Sequence, residues 1–458
     1  MFQRIAAPGD FSVRQGISMH TPAAARDSQA TRVFEGVTPY HWLVVIIASA
    51  GWLFDCMDQR LFILGRESAL RELMAGDPAA VRTHIGYATT SMILGWATGG
   101  IIFGMMSDKI GRVKTMVATL LVYSGFTGLS GLANSWVDFT IYRFLAGIGI
   151  GGMFGAATTL VAESVPAGFR AMALGSLQAL SALGNIIGSL LSLQIPPGSH
   201  NFVNDYAGWR VLFFVGIVPA LLVVPIIFVL KEPESWLKAK ADARAGIGHK
   251  NVGSPAELFR DPRWRRNTIV GLFLGVSGMI GLWGIGFFSP ELISTALRGA
   301  PQDVVDTVRG WGTAFQDVGS FLGMITFTMI AAFLSRRLAF LLALLLSMFV
   351  TMFVFRSLNS ASDAYWMLPM MGFAQLAVFA GYSIYFPELF PTRLRGTGVG
   401  FCYNTVRYLA APAPTLMGYL ATLMTFRSAA VLMSTIYLVG VVALIWAPET
   451  KGKPLPEG

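Results

Sequence analysis

A short charged turn separates two long apolar segments of the chain and reads Gly104-Met105-Met106-Ser107-Asp108-Lys109-Ile110-Gly111-Arg112-Val113-Lys114. Each flanking segment is about 20 residues long, which is the length that a helix needs to cross the hydrocarbon core of a bilayer. Lys and Arg are retained in loops on the cytoplasmic side of a membrane. The stretch therefore predicts a tight cytoplasmic turn between two membrane-spanning helices.

The composition extends this prediction to the whole chain. Of the 458 residues, 54% are hydrophobic and 13% are charged, whereas soluble domains carry about 25% charged residues. The basic residues concentrated in positions 231–266 are explained by retention at the cytoplasmic face. No stacking aromatics or nucleic-acid-binding fold accompany them, so we expect no nucleic-acid partner. The chain is predicted to be an all-α, multi-pass protein whose main partner is the lipid bilayer.

Apolar stretches long enough to cross the bilayer predict twelve transmembrane helices in two six-helix halves. The predicted spans are 42–64, 84–106, 115–133, 138–161, 171–194 and 209–230, followed by 267–292, 309–333, 337–357, 363–387, 396–421 and 427–447. The corresponding units are an N-terminal tail 1–40, a first half 41–230, a basic linker 231–266, a second half 267–447 and a C-terminal tail 448–458.

The loop charges predict the orientation of these spans. The linker and the loops 108–114, 335–337 and 392–395 carry Lys or Arg, whereas an opposite loop such as 134–136 carries neither. By the positive-inside rule, both termini are expected on the cytoplasmic side. The first 40 residues contain no apolar core of a cleavable signal peptide.

The two halves share an internal repeat. Four residues after span 4 recur after span 10 at a constant offset of 225 positions, with Glu163, Pro166, Arg170 and Gly175 matching Glu388, Pro391, Arg395 and Gly400. Repeated six-helix halves are typical of alternating-access carriers. Opposite charges at helix ends can latch the inner side closed, and fixed topological anchors are the alternative. The predicted gating residues are Asp108, Arg112, Glu163, Arg170, Glu388 and Arg395.

Three stretches resemble the major facilitator superfamily. The turn at 104–114 is similar to that family's signature between spans 2 and 3, G-x-x-x-D-[RK]-x-G-R-[RK], with Val113 at a usually basic position. Arg143 and the glycines of 147–151 resemble its fourth-helix pattern. Residues 387–398 resemble the branch that holds sugar porters and metabolite–proton symporters for aromatic acids, sialic acid and nicotinate. The resemblance implies a twelve-helix carrier.

The first span resembles one group of symporters within this branch. Asp55 and Asp58 keep the carboxylate spacing of the D-G-F-D motif of aromatic acid symporters, with Cys56 in place of the glycine. On a helix they share a face, and repulsion between two carboxylates in a low dielectric suits one of them to carry a proton. Arg143 reaches a similar depth, so we expect an Asp58–Arg143 pair. The pair either alternates with proton binding or is a static contact between spans 1 and 4.

Arg407 lies close to the midplane of span 11, where carriers of this kind bind substrate. Guanidinium meets carboxylate through two parallel hydrogen bonds, which favours an organic anion as substrate. A salt bridge from Arg407 to Asp317 is the competing interpretation. Polar and aromatic residues at helical spacing complete the predicted substrate site, although interhelical packing explains them nearly as well. They are Gln178, Asn185, Trp283, Phe287, Gln375 and Tyr382.

These observations predict a monomeric carrier of the bacterial inner membrane that couples proton flow to uptake of a small organic acid. A sugar or polyol porter, or an uncoupled facilitator, is the alternative within transport. A non-transporting membrane sensor is a more remote alternative, because sensors derived from carriers generally add a sizeable soluble domain. The sequence has no phosphate-binding loop, nucleophile elbow or metal-ligand cluster, so we expect no enzymatic activity, cofactor or metal.

Overall fold

A computed structural model of the protein describes residues 33–74, 78–199, 202–203, 205–244 and 252–457. The first half contains six helical elements: α1 (Pro39–Leu73), α2 (Pro78–Ile110), α3 (Arg112–Ser130), α4 (Trp136–Ser164), α5 (Ala167–Ala179 and Ser181–Gln194) and α6 (Gly208–Val215, Val218–Leu222 and Val223–Val229). Most of the N-terminal tail, whose disorder the composition suggests, lies outside the described residues.

The second half repeats this arrangement. Its elements are α7 (Pro262–Gly284, Gly286–Phe288 and Ser289–Ala296), α8 (Gln302–Phe333), α9 (Arg336–Ser357), α10 (Ala361–Leu389), α11 (Arg395–Ala410 and Ala413–Leu423) and α12 (Phe426–Met433, Ser434–Ile436 and Tyr437–Ala443). Between the halves, the linker contributes two helices, Glu234–Arg244 and Glu257–Arg260. We call the end of the bundle that carries the linker the linker side, and the opposite end the far side.

The prediction of twelve spans is confirmed. Ten elements of the described chain are long and apolar enough to cross a bilayer, and α3 and α11 complete the set. α3 has 19 residues and starts at Arg112, while α11 is interrupted at Ala411, next to Pro412, because proline lacks the backbone N–H that a helix needs. α1 continues to Leu73, well beyond its predicted end at 64.

Glycines hold helix pairs together inside each half. A Cβ atom at Gly99 of α2 would lie 1.9 Å from the carbonyl oxygen of Ile148 of α4. In the second half, a Cβ at Gly323 of α8 would lie 2.0 Å from the carbonyl oxygen of Phe373 of α10. Small residues allow such backbone-to-backbone approach, which is a main source of helix association in membranes. The α2–α4 and α8–α10 pairs are therefore the equivalent rigid cores of the two halves.

Adding one methyl group at these contacts should destabilise the protein. We expect Gly99→Ala and Gly323→Ala each to cost about 1–3 kcal/mol by overpacking, and so to lower the thermal midpoint measured in detergent. Gly125→Ala on α3 is the control, because a Cβ there meets nothing within 4 Å. Equal midpoints for all three variants would contradict the backbone contact as a stabilising element.

Candidate functional site

A buried carboxylate joins the two halves on the linker side. Glu163 at the end of α4 accepts hydrogen bonds of 3.0 Å from both Nε and Nη2 of Arg112, the first residue of α3. Arg395, the first residue of α11, also donates to Glu163. All three side chains have no exposed surface. Arg112 further donates to the carbonyl oxygen of Thr392 at 2.8 Å, which adds a second link between the halves.

Asp108 at the end of α2 caps the start of α11. Its carboxylate accepts from the backbone N–H groups of Gly396 at 2.9 Å and Thr397 at 2.8 Å, and from the Thr397 hydroxyl at 2.7 Å. A carboxylate satisfies the free N–H groups of a helix N-terminus and interacts favourably with the helix dipole. Arg112 lies 3.1 Å from the same carboxylate. The tight turn at 104–114 therefore holds the second half through α11.

The sequence repeat reappears as repeated contacts. Arg170 donates from Nε to the carbonyl oxygen of Ala162 at 3.0 Å, and Arg395 donates to that of Pro387 at 2.9 Å. In the second half, Arg336 pairs with Glu388 at 2.9 Å, as Arg112 pairs with Glu163. The six predicted gating residues thus lie together on the linker side.

The repeat is incomplete in one respect. When Arg112 is aligned with Arg336, the position of α8 that corresponds to Asp108 is occupied by Ala332. The second half therefore has no carboxylate there to cap a helix of the first half. Of the two equivalent positions, the one in the first half therefore provides a cap across the interface, from Asp108 to α11.

Two carboxylates are buried inside the first half. Asp55 and Asp58 of α1 have no exposed surface, and none of their oxygens has a hydrogen-bond partner among the described residues. The structure brings Arg143 of α4 to 3.5 Å from Asp58, between its Nη1 and the Oδ2 of Asp58. Ser130 accepts from Nε of Arg143 at 2.9 Å, and the Phe213 ring lies 4.9 Å from the guanidinium. Asp58 therefore has one cationic neighbour, and the Thr127 hydroxyl lies close enough to interact with it.

Asp55 has no comparable cationic partner in the described chain. Tyr123 of α3 places its hydroxyl close enough to interact with Asp55, but the two groups do not meet in normal hydrogen-bond geometry. The carboxyl group thus lacks the bonds that would stabilise an anion. Asp55 therefore has fewer interactions than Asp58 that would offset a negative charge.

Arg407 of α11 lies between the halves in an aromatic cage. Its guanidinium is 3.8 Å from the ring centre of Trp96 on α2 and 4.5 Å from that of Tyr403. It donates to the Asn404 side chain at 2.8 Å, and the side chain of Arg407 is buried. Trp283 of α7 meets Trp96 edge-on at 6.5 Å. No ion pair to Arg407 occurs within the residues that the structure describes, so its charge has no carboxylate to balance it.

The predicted alternative partner of Arg407 is wrong. Asp317 of α8 pairs with Arg60 of α1 at 2.9 Å, and both side chains are partly exposed, at 25% for Arg60 and 30% for Asp317. Arg60 lies eight residues beyond Trp52, whose ring meets that of Tyr403 near Arg407, and so about 12 Å further along α1 towards the far side. Asp317 therefore lies away from the level of Arg407, and counting residues along each span gives only an approximate depth. Arg60, which could have extended to the membrane surface, instead connects the halves.

The remaining residues of the predicted substrate site lie in different surroundings. Gln178 is buried and its Oε1 lacks a partner in the described chain, whereas Asn185 lies beyond a helix interruption at Leu180. Gln375 donates to Thr351 at 2.9 Å, inside the second half. Tyr382 donates to the carbonyl oxygen of Leu274 at 2.7 Å. The side chain of Phe287 lies outside the described residues.

Sequence reasoning missed several aromatic residues of the site. Phe154 of α4 stacks on Tyr403 at 3.9 Å and meets Trp52 of α1 at 5.0 Å. Tyr403 precedes Arg407 by one helical turn, a spacing that could have indicated contact. Trp96 and Phe154 gave no such signal, because their contacts form between helices that are distant in sequence.

Comparison with known proteins agrees with this architecture. Residues 68–413 match the family model described as Major Facilitator Superfamily. The chain is 30% identical to the cis,cis-muconate transport protein of Acinetobacter baylyi, over 79% of this chain and 84% of that protein. It is 29% identical to the sialic acid transporter NanX of Escherichia coli, over 86% of this chain and 90% of that protein.

Solved structures show the same fold. The proton:xylose symporter XylE bound to 6-bromo-6-deoxy-D-glucose matches with a TM-score of 0.71 and 19% identity, covering 91% of this chain and 98% of that one. The human organic anion transporter MFSD10 matches with a TM-score of 0.66 and 16% identity, covering 89% and 100%. The chain therefore belongs to the Major Facilitator Superfamily and is a multi-pass membrane transporter, not an enzyme.

Proposed function

We propose that the protein is a proton-coupled carrier of a small organic anion. The observation that carries this proposal is the buried guanidinium of Arg407, which lies between the halves with aromatic rings on its faces and without a carboxylate partner in the described chain. A buried charge is costly unless it is paired. A substrate carboxylate would supply the missing charge, and the rings of Trp96 and Tyr403, with Trp283 beside Trp96, would contact an apolar or unsaturated body.

The relatives support an organic acid as the substrate class. Proteins named for transport of cis,cis-muconate and of sialic acid are similar to this chain along most of its length, and both names denote carboxylic acids. A sugar is the alternative, but a neutral sugar would leave the charge of Arg407 uncompensated. In this proposal, Gln178 is the polar group of α5 that faces the substrate.

The buried acids of α1 are proposed to carry the proton. Asp58 lies 3.5 Å from Arg143, and an opposite charge at this distance favours the ionised acid. If a movement of α1 against α4 within the first half separates the pair, burial favours the protonated acid, and the cycle can release and capture a proton on alternate sides. Asp55, three residues away, is the second proton-handling group.

The linker-side network is proposed as the inner gate. Because Asp108 and Glu163 reach across to α11, separating the halves on this side must break both contacts, while the Arg60–Asp317 pair closes the far side. The positive-inside pattern supports a cytoplasmic position for the linker and both termini, and we propose that one chain in the inner membrane of a bacterial cell is the functional unit.

Arg407→Gln should abolish stabilisation by the substrate. A ligand at 100 times its dissociation constant adds about 2.7 kcal/mol of stability, so the thermal midpoint of the purified protein can be measured against muconate, sialic acid, benzoate and xylose. We expect one carboxylate to raise the midpoint of the wild type but not that of the variant. Arg356→Gln is the control, because Arg356 is exposed on α9. Stabilisation by xylose alone would overturn the anion assignment.

Asp58→Asn should separate proton coupling from substrate exchange. In proteoliposomes we expect the variant to lose uptake driven by a proton gradient and to keep counterflow exchange, because a neutral amide occupies the same space without binding a proton. Asp242→Asn in the linker helix serves as a control for a lost carboxylate. Equal loss of gradient-driven uptake and counterflow would rule out Asp58 as the proton carrier.

Asp108→Asn should open the linker side. Loss of one partner of a buried charge pair costs about 3–5 kcal/mol, so the closed state should lose most of its population. Hydrogen exchange at the amides of Gly396 and Thr397 is expected to accelerate. Glu449→Gln is the matched control, because Glu449 caps the start of α9 through the N–H groups of Arg336 and Arg337 without crossing to the other half. Unchanged exchange in Asp108→Asn would show that Asp108 is only a topological anchor.

A further inference from the structure

A groove on the outer surface runs between α7 and α12 and is separate from the central site. Its volume is about 800 Å³. The walls are apolar, with Ile269 and Phe273 on the α7 side and Leu438 and Val442 on the α12 side. These four side chains are 42–51% exposed. The groove therefore faces the hydrocarbon of the bilayer and can accommodate an acyl chain.

Two arginines close the groove on the linker side. Arg265 and Arg266 lie in the first turn of α7, line the groove and are exposed. Arg266 donates from Nε to the carbonyl oxygen of Trp446, in the turn after α12, at 2.9 Å, which fixes its guanidinium at the rim. Trp446 lines the same end, at the level where tryptophan is enriched in membrane proteins.

The neighbouring arginines differ from this pair in their partners. Arg260 lies 3.7 Å from Glu257, and Arg263 lies 3.4 Å from Asp261. By contrast, neither Arg265 nor Arg266 forms an ion pair with any acid in the described ranges. The rim of the groove thus carries two cationic groups without protein counter-charges.

The dimensions of the groove match one leaflet. From Arg265 to Phe273 the groove follows eight residues of α7, about 12 Å along the helix axis. One leaflet contributes about 15 Å of hydrocarbon. The head group of a bound lipid would therefore contact the rim while its acyl chain contacts the walls. An ion from solution cannot make both contacts.

We propose that this groove is a binding site for an anionic phospholipid of the linker-side leaflet. The phosphate lies against Arg265 and Arg266, and one acyl chain runs along Phe273 and Val442. Basic pockets between transmembrane helices on the cytoplasmic side have the charge that anionic head groups require. The site is independent of the substrate assigned to Arg407.

Native mass spectrometry of the delipidated full chain tests the site. Phosphatidylglycerol and phosphatidylcholine with identical acyl chains are titrated separately, and apparent dissociation constants are read from the bound fractions. We expect the wild type to prefer phosphatidylglycerol. Arg265→Gln/Arg266→Gln should weaken phosphatidylglycerol binding by about thirtyfold, since each basic residue near an anionic lipid contributes about fivefold.

Two controls make the result specific. Arg260→Gln/Arg263→Gln removes the same charge from the same stretch outside the groove and should bind phosphatidylglycerol like the wild type. Val439→Trp fills the groove while keeping both arginines, and should also weaken binding. Equal affinity for the two lipids, or equal weakening in both double variants, would overturn the proposal. Displacement of the lipid by millimolar glycerol 3-phosphate would also overturn it, because the head group alone would then account for binding.

Discussion

The Glu163 carboxylate, shared by Arg112 of its own half and Arg395 of the other, is the contact on which the described conformation depends. Three charges without exposed surface are costly, and only dense hydrogen bonding compensates for their burial. Asp108 strengthens the contact by capping α11. Inside each half, glycine contacts bring one helix pair close together. Between the halves, the polar contacts add to close packing of α2 against α11, where a Cβ at Gly400 would lie 2.4 Å from the carbonyl oxygen of Gly100.

The buried acidic groups and the buried guanidinium lie in different halves. The buried carboxylates lie on α1 of the first half, whereas the unpaired guanidinium lies on α11 of the second. Trp96 of the first half covers Arg407, so the cationic site is completed only when the halves approach each other. If Arg407 binds the substrate as proposed, occupation of its site and the distance between the halves are linked by geometry.

Much of the fold could be predicted from the sequence, because span length, loop charge and the 225-residue repeat are local or periodic signals. The matching depths of Asp58 and Arg143 are predicted by counting residues along a helix of known rise. Such a count depends on where each helix begins, and helix rotation and helix interruptions carry no comparable signal. For that reason the sequence does not show that Asp317 meets Arg60, or that α5 is interrupted at Leu180.

The cage around Arg407 was the least predictable part of the site. Trp96 and Phe154 lie on helices whose sequences are otherwise rich in small residues, and their contacts with α11 cross more than two hundred positions of sequence. Such contacts are decided by how two halves pack, not by any segment alone. The sequence indicated the charged residue, while the surrounding rings required the tertiary structure.

The polar character of the contact between Asp108 and α11 has a thermodynamic consequence. Separation there hydrates charges and backbone N–H groups, and polar hydration lowers heat capacity whereas apolar hydration raises it. The polar groups freed there should therefore reduce the heat-capacity change of opening. The freed charges are screened by dissolved ions, whereas the buried ones are not. Ionic strength should therefore shift the resting balance between the closed and open forms.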